Sequence, residues 1–334
     1  MKRDLTFAVV GCGKIGSRHA EHIHRLANLI AVCDVDAEKA EGIAHQYNIH
    51  SYSSLEEMLT SVKPAVVAVC TPNGLHAAHT ITALLADCHV VCEKPMAIRV
   101  SDCLEMIAAA KKANKYLFIV KQNRFNEAVI AVKKLLNENK LGKIYSFQIN
   151  CFWNRNTDYY KDSWHGTKNL DGGTLFTQFS HFVDILYWYL GDVASVQSYT
   201  NNAAHQSLME TEDTGVSILA MRSGAIGTLN YTVNSFARNM EGSITLFGEK
   251  GTVKIGGEYL NTISYQNIEY VVIPPVDSSP PNDYGAYQGS MSNHDKVYQN
   301  VIDVLCDNGL MKTNPEEGLK TVEIVERIYA ANRI

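Results

Sequence analysis

Residues 5–16, LTFAVVGCGKIG, decide the fold. An apolar run of strand type leads into Gly11, Gly13 and Gly16, and the helix-like segment 14–26 follows. Alone, such a pattern reads equally well as a tight strand-to-helix turn. The second apolar run, LIAVCD (29–34), closes on Asp34, 18 residues past Gly16, and this context makes the segment a dinucleotide-binding fingerprint. The first glycine permits the turn, the second admits a pyrophosphate, and the third lets helix and strand pack closely. Gly11, Gly13, Lys14, Ile15 and Gly16 are therefore the expected phosphate cradle, with the helix N-terminus facing the anion. Asp34 is suited to accept hydrogen bonds from the adenosine ribose. With Asp36 nearby and no Arg in residues 34–37, NAD is expected in preference to NADP.

Outward from this segment, the pattern repeats. Strands are expected at 5–10, 29–34, 50–53, 65–71, 89–93 and 116–121, with helices at 14–26, 38–47, 55–61, 76–86 and 100–113. The strand runs are almost continuously apolar, as in a parallel sheet buried on both faces. The fold class is α/β: an N-terminal doubly wound Rossmann domain over residues 1–122. From Ile144 onward the pattern changes to period-two alternation, in IYSFQINCF, ASVQSYT, GVSILAM, GTLNYTV, SITLFG, GTVKI, ISYQN and EYVVI. This predicts a C-terminal α+β domain, 123–334, with a large, mostly antiparallel open sheet. Helices are expected at 127–139, 174–190, 293–307 and 315–332, and the Pro/Ser/Gly-rich stretch 274–292 is expected to be a surface loop.

Bulk composition bounds the function. The chain has 334 residues, a net charge of −5 and 46% hydrophobic residues, which favours two globular domains and argues against a general nucleic-acid binder. No apolar run reaches membrane length, and the N-terminal apolar stretch is too short for a signal peptide, so a soluble cytoplasmic protein is expected. The eight cysteines include no CxxC pair, and neither a disulfide framework nor a metal site is indicated. Arg18, His19, His22 and His24 are read as an exposed face of the first helix.

Chemistry-bearing residues gather after strands four and five, at the carboxyl ends where such sheets place ligands. Glu93-Lys94-Pro95 leaves the fifth strand, and Pro95 keeps Lys94 out of the helical region. The loop TPNGLH (71–76) brings Thr71, Asn73 and His76 to the same end, where the nicotinamide half of the cofactor would lie. Farther on, DGGTLFTQFSHFVD (171–184) pairs two glycines with a helical run in which Thr177, His181 and Asp184 share a face.

With GCGKIG, TPNGLH, EKP and GG-x7-HxxD on residues 11–184, and a closing HDKVYQNVIDVL…EGLKTVEIVERIY, the chain resembles the Gfo/Idh/MocA family throughout. The resemblance implies an NAD(P)-dependent oxidoreductase of sugars or cyclitols, with Lys94 and His181 as catalytic residues and a Lys94–Pro95 bond that is commonly cis. It also implies oligomerisation through the C-terminal sheet, as a homodimer or homotetramer. The QNRFN stretch (122–126), Tyr159, Tyr160 and WHGT (164–167) resemble a subgroup that oxidises C3 of UDP-N-acetylglucosamine or its uronate. On that resemblance Glu93, Gln122 and Trp164 join the cofactor set, and Arg124, Tyr160 and Gln178 join Lys94 and His181 around the sugar. Thr177 and His165 depart from the pattern, standing where many members have Asp and Arg.

The expected mechanism has His181 as general base, since histidine titrates at about 6.5 when unperturbed. Lys94 orients the hydroxyl and stabilises developing alkoxide. Arg124 is open to two readings, a substrate contact or an ion pair; Asp184 either tunes His181 or anchors its helix; His294 either belongs to a capping turn or meets substrate. Two other functions compete: oxidation of a free sugar or cyclitol, and a non-catalytic NAD-binding regulator. The partner expected is a small-molecule sugar or nucleotide sugar, with no nucleic acid and no membrane.

Overall fold

The structure is a computed structural model and describes residues 4–276, 281–283 and 288–332. The chain divides into two compact units: Met1–Val120 with His294–Val322, and Lys121–Asn293 with Glu323–Ile334. Sequence predicts one boundary, after residue 122; the packing also gives His294–Val322 to the first unit.

The first unit alternates β1 (Thr6–Val10), α1 (Lys14–Leu26), β2 (Asn28–Cys33), α2 (Ala37–Tyr47), β3 (His50–Tyr52), α3 (Leu55–Val62), β4 (Val66–Val69), α4 (His76–Leu85), β5 (His89–Cys92), α5 (Val100–Ala113) and β6 (Leu117–Ile119). All six strands are parallel, in the order β3-β2-β1-β4-β5-β6. Phe7, Ala8, Val9, Val66–Val69 and Val90–Cys92 are wholly buried, as the unbroken apolar runs require. The strand order reverses between β1 and β4, which sets the loops after them at the switch point where doubly wound sheets bind ligands.

In the second unit, α6 (Glu127–Asn137), β7 (Ile144–Phe152), α7 (Thr157–Tyr160), α8 (Thr174–Thr177) and α9 (Ser180–Leu190) precede a run of strands. These are β8 (Val193–Asn201), β9 (Thr214–Met221), β10 (Ile226–Thr232), β11 (Glu241–Gly248), β12 (Gly251–Gly256) and β13 (Thr262–Ile268). With β7 they form a seven-stranded sheet, antiparallel except where β7 and β10 run parallel. One face is buried through Phe147, Ile149, Leu229, Tyr231, Ile244 and Leu246, which accounts for the period-two pattern. The short pair β14 (Pro281–Asp283) and β15 (Gln288–Met291) precedes α10 (His294–Asp307) and α11 (Pro315–Ala330). No helix of the described residues is long and apolar enough to cross a membrane.

Three local expectations are corrected. The run 174–190 is two helices, because the backbone leaves the helical path at Phe179, with φ −112° and ψ 3°. EYVVI is not a strand: Glu269 and Tyr270 turn, and the Gln266 side-chain amide bonds both N and O of Ile273, at 2.7 and 2.8 Å, in place of a ladder partner. Within 274–292, Ser290 and Met291 are buried, since proline and glycine signal turns but not exposure; residues 277–280 and 284–287 lie outside the described residues.

Beneath the Gly172-Gly173 turn lies a buried acid. Glu212 Oε1 accepts hydrogen bonds from Tyr329 (2.7 Å) and Tyr231 (3.4 Å), and Tyr329 Oη in turn accepts from the Leu175 amide. A Cβ at Gly173, whose φ is +124°, would fall 2.3 Å from Tyr329 Oη, so only glycine fits above this cluster. Burial pushes the Glu212 carboxyl up to about 7, with nearby Asp171 adding to the rise and the Tyr329 hydrogen bond opposing it. The folded chain then holds a proton that the unfolded chain gives up near pH 4.5. Stability therefore falls as pH rises from that range to about 7, by roughly 3 kcal/mol from this group. Glu212→Gln keeps the hydrogen-bonding shape without the charge and is expected to flatten that part of the urea-midpoint-versus-pH curve and to raise the midpoint at pH 8. An unchanged slope would refute the assignment.

Candidate functional site

Each unit carries its own group of candidate residues. In the first, Gly11 takes φ +91°, and a Cβ there would lie 2.6 Å from the Cys70 carbonyl carbon. At Gly16 a Cβ would lie 1.8 Å from Gly11 O, so β1 and α1 close on each other only with glycine at both positions. Gly13 is different: nothing lies within 4 Å of its missing Cβ, which leaves open space over the loop. α2 and α3 are capped by the side chains of Asp36 and Ser54, whereas α1 has no side-chain cap and no acid in its first turn. Gly13 and Lys14 are exposed and Ile15 half-buried at this end. The cradle thus presents uncapped amides and positive partial charge to an open space, which fits a pyrophosphate.

Asp34 closes one side of the cradle. Its carboxylate accepts the Cys12 amide at 2.6 Å and the Asp36 amide at 2.9 Å, which pins it at the end of β2 while leaving it half-buried. The neighbouring cation, Lys39, is already paired with Asp36 at 2.7 Å. A pinned carboxylate beside a neutralised lysine suits ribose hydroxyls and opposes a 2′-phosphate.

After β4 and β5 the loops are tied together by His76, buried, with Nδ1 2.7 Å from Pro95 O and Nε2 2.8 Å from Thr71 O. Expected as a cofactor contact, His76 instead has each ring nitrogen against a backbone carbonyl; burial lowers its pKa and keeps it neutral, so it donates to one of the two. Thr71 Oγ1 meets His79 at 3.0 Å, and Asn73 is buried in the turn that follows. The Lys94–Pro95 bond is cis, Lys94 is half-buried, and Glu93 is buried with Oε2 accepting the Lys94 amide at 2.8 Å. His19 and His22, expected on an exposed helix face, are buried, because α10 packs on α1. His19, Glu93 and His294 place one ligand-type atom each within 4.8 Å of one another.

In the second unit His181 sits in the first turn of α9, 6% exposed. Its Nε2 lies 3.5 Å from both Gln122 Nε2 and Ser290 Oγ, and Gln122 donates to Ser290 at 2.9 Å. An amide donor aimed at Nε2 leaves that nitrogen as the acceptor, the state a general base requires. Gln122 Oε1, Gln178 Oε1 and Ser180 Oγ are buried without hydrogen-bond partners among the described residues. Orphaned polar atoms thus gather in and beside the first turn of α9, where a bound polar group would satisfy them. Ser290 escaped sequence reading because nothing in a Pro/Ser/Gly-rich stretch distinguishes it.

Asp184, one turn beyond His181, is the anchor. Its carboxylate accepts Arg124 Nε (2.8 Å), Arg124 Nη2 (2.7 Å) and Lys121 Nζ (2.7 Å), all three side chains being at most 5% exposed. The two cations hold the buried carboxyl well below the usual carboxylate range, against the opposing pull of desolvation. Removing one member of such a buried set costs about 3–5 kcal/mol. Of the two readings of Arg124, substrate contact or ion pair, the structure shows the ion pair, with the guanidinium also 5.1 Å from the Trp188 ring. The pair holds the turn that carries Gln122 against α9.

Thr177 does not share a helical face with His181 and Asp184. Its hydroxyl bonds Asp171, a buried carboxylate that also accepts the Gly166 amide. Gln178 donates to Tyr159 Oη at 3.0 Å. Tyr160 is buried edge-on to His205, and Trp164 is half-buried and stacked on His165 at 4.0 Å, 24° from parallel.

Known proteins share this fold. The WlbA dehydrogenase of Chromobacterium violaceum, solved with NADH and UDP-GlcNAcA, is 38% identical with a TM-score of 0.89, covering 99% of this chain and 94% of that one. The WlbA dehydrogenase of Bordetella pertussis, with the same two ligands, is 36% identical with a TM-score of 0.88, covering 98% and 96%. The 2,7-anhydro-N-acetylneuraminate hydratase of Escherichia coli is 30% identical over 257 residues, which are 75% of this chain and 67% of that protein. Residues 5–121 match the oxidoreductase family with an NAD-binding Rossmann fold, and residues 129–254 match the GFO/IDH/MocA C-terminal domain. The chain belongs to the Gfo/Idh/MocA family of oxidoreductases.

Proposed function

We propose that this protein is an NAD-dependent dehydrogenase that oxidises the C3 hydroxyl of a nucleotide sugar, UDP-N-acetylglucosamine or its uronate. One observation carries the reading: the chain matches two dehydrogenases solved with NADH and UDP-GlcNAcA over at least 98% of its length, and it retains Lys94 and His181. NAD, when bound, supplies the hydride acceptor. Gly11, Gly13, Lys14, Ile15 and Gly16 would hold its pyrophosphate, Asp34 its adenosine ribose, and Thr71, Asn73 and Gln122 its nicotinamide half. Trp164 remains assigned to the cofactor, and Tyr160 and Gln178 to the sugar. His181 Nε2 takes the hydroxyl proton as general base, held as an acceptor by Gln122. Lys94 orients the hydroxyl and stabilises charge developing on its oxygen.

Assembly is part of the same proposal. Across the register of the second sheet, Tyr199, Val216, Ile218, Ile226, Phe247 and Tyr265 fall on one face and are all exposed. An apolar band on the uncovered side of a sheet is suited to pairing with a second copy. Light scattering at micromolar concentration is expected to give a mass at least twice that of the chain, and a monomer would reject this part.

Lys94→Ala and His181→Ala are each expected to keep NAD binding while turnover falls by at least about a hundredfold. The double variant should be little worse than either single one, because residues acting as a unit are not additive. Near-normal turnover in either single variant would remove that residue from the chemistry. Oxidation of free sugars or cyclitols alone by the wild type would leave the chemistry standing and reject the nucleotide-sugar assignment.

A further inference from the structure

His19 on α1 and His294 of the closing HDKVY segment have no part in the chemistry above, yet they meet at one buried carboxylate. Glu93 is 4% exposed, and each of its oxygens is engaged. Oε2 accepts the Lys94 amide at 2.8 Å, while Oε1 lies 2.7 Å from His19 Nε2 and 3.3 Å from His294 Nε2. On its other side, His19 Nδ1 lies 2.6 Å from the Tyr298 hydroxyl. His294 and Tyr298, one turn apart on α10, pack edge-on to the His19 ring at 5.1 and 5.5 Å.

Proton bookkeeping gives this chain of contacts a direction. A carboxylate can only accept, so His19 Nε2 carries a proton. A neutral imidazole then has a lone pair on Nδ1, and the Tyr298 O–H donates to it. Burial holds His19 below its ordinary pKa, against the hydrogen bond to Glu93, and pushes the Tyr298 phenol well above its own. Both groups are thus in the states the relay needs. Glu93 itself is held well below the usual carboxylate range by its two histidine partners, although burial pulls the other way. From Tyr298 through His19 and Glu93 to the Lys94 amide, every donor meets an acceptor.

We propose that Glu93, His19 and Tyr298 are positioning residues that clamp the backbone from which the Lys94 side chain projects. The need for such a clamp is local. Glu93 N still bonds Val69 O at 2.9 Å, but β5 ends at Cys92, and Pro95 has no N–H to offer a neighbouring strand. The Lys94 amide is therefore tied to a side chain, and that side chain is fixed by residues from α1 and α10. This explains why α10, some 200 residues later in sequence, packs with the first unit.

The inference rests on Lys94 being a reacting residue, so its test has one readout that turnover does not touch. Full-length protein labelled with [15N]lysine gives the Lys94 amide signal, assigned by its loss in Lys94→Arg. In the wild type this proton should be shifted downfield and slow to exchange. His19→Leu should move it upfield, speed its exchange, and lower kcat by about tenfold to a hundredfold, with the KM for NAD changed less than about threefold. His19→Gln, whose amide nitrogen can replace the Nε2–H donor, should recover most of both losses. Tyr298→Phe should give a smaller change in the same direction, and it serves if His19→Leu does not fold. An unchanged amide signal and kcat in these variants would overturn the clamp. Stoichiometric bound metal in the purified wild type, with activity lost on chelation, would also overturn it, since a cation on His19, Glu93 and His294 would displace the relay's proton. A wild type that oxidises no nucleotide sugar would reject the functional reading, while the amide signal would still judge the clamp.

Discussion

A carboxylate withdrawn from water must be answered by donors, and much of this structure is arranged to answer two of them. In the first unit Glu93 gathers α1, α10 and the end of β5 around itself. In the second, Asp184 draws in Lys121 and Arg124 and so fixes the turn that carries Gln122 beside His181. Neither acid is near the surface. An unpaired charge at either place would cost several kcal/mol, more than a typical local contact returns. The end of β5 and the first turns of α9 are therefore tied in place by paired buried charge.

Glycine supplies the complementary constraint, since at the cradle the chain must pass where side chains cannot. Gly11 and Gly16 allow β1 and α1 to touch, and Gly173 allows the chain above Tyr329 and Glu212. Gly13 has no such neighbour; its value is the room it leaves for a ligand to approach the backbone.

These constraints differ in how they show in sequence. The Rossmann sheet is readable because its strands are buried on both faces and its glycines keep a fixed spacing around one turn, so LTFAVV, GCGKIG and Asp34 suffice. EKP and HxxD are legible because motif and element coincide. What stayed hidden depends on residues far apart in the chain. His19 and His22 look like a solvated face until α10 covers them. Sequence leaves Arg124 open between a substrate contact and an ion pair; the partner that decides for the pair, Asp184, lies sixty residues on. The break at Phe179 interrupts a run whose helical periodicity is unblemished. Gln266 replaces a strand partner for Ile273, and Ser290 reaches His181, without any local signal. Local periodicity reports burial of one face; it does not report which distant group completes a hydrogen bond.

In the proposed reaction a hydride leaves C3 of a nucleotide sugar for the nicotinamide. UDP-N-acetylglucosaminuronate carrying deuterium at C3, incubated with the enzyme and unlabelled NAD, tests this directly by mass spectrometry of the reduced nicotinamide. One deuterium is expected on each reduced nicotinamide formed. Reduced nicotinamide carrying only protium, or none formed at all, would contradict it.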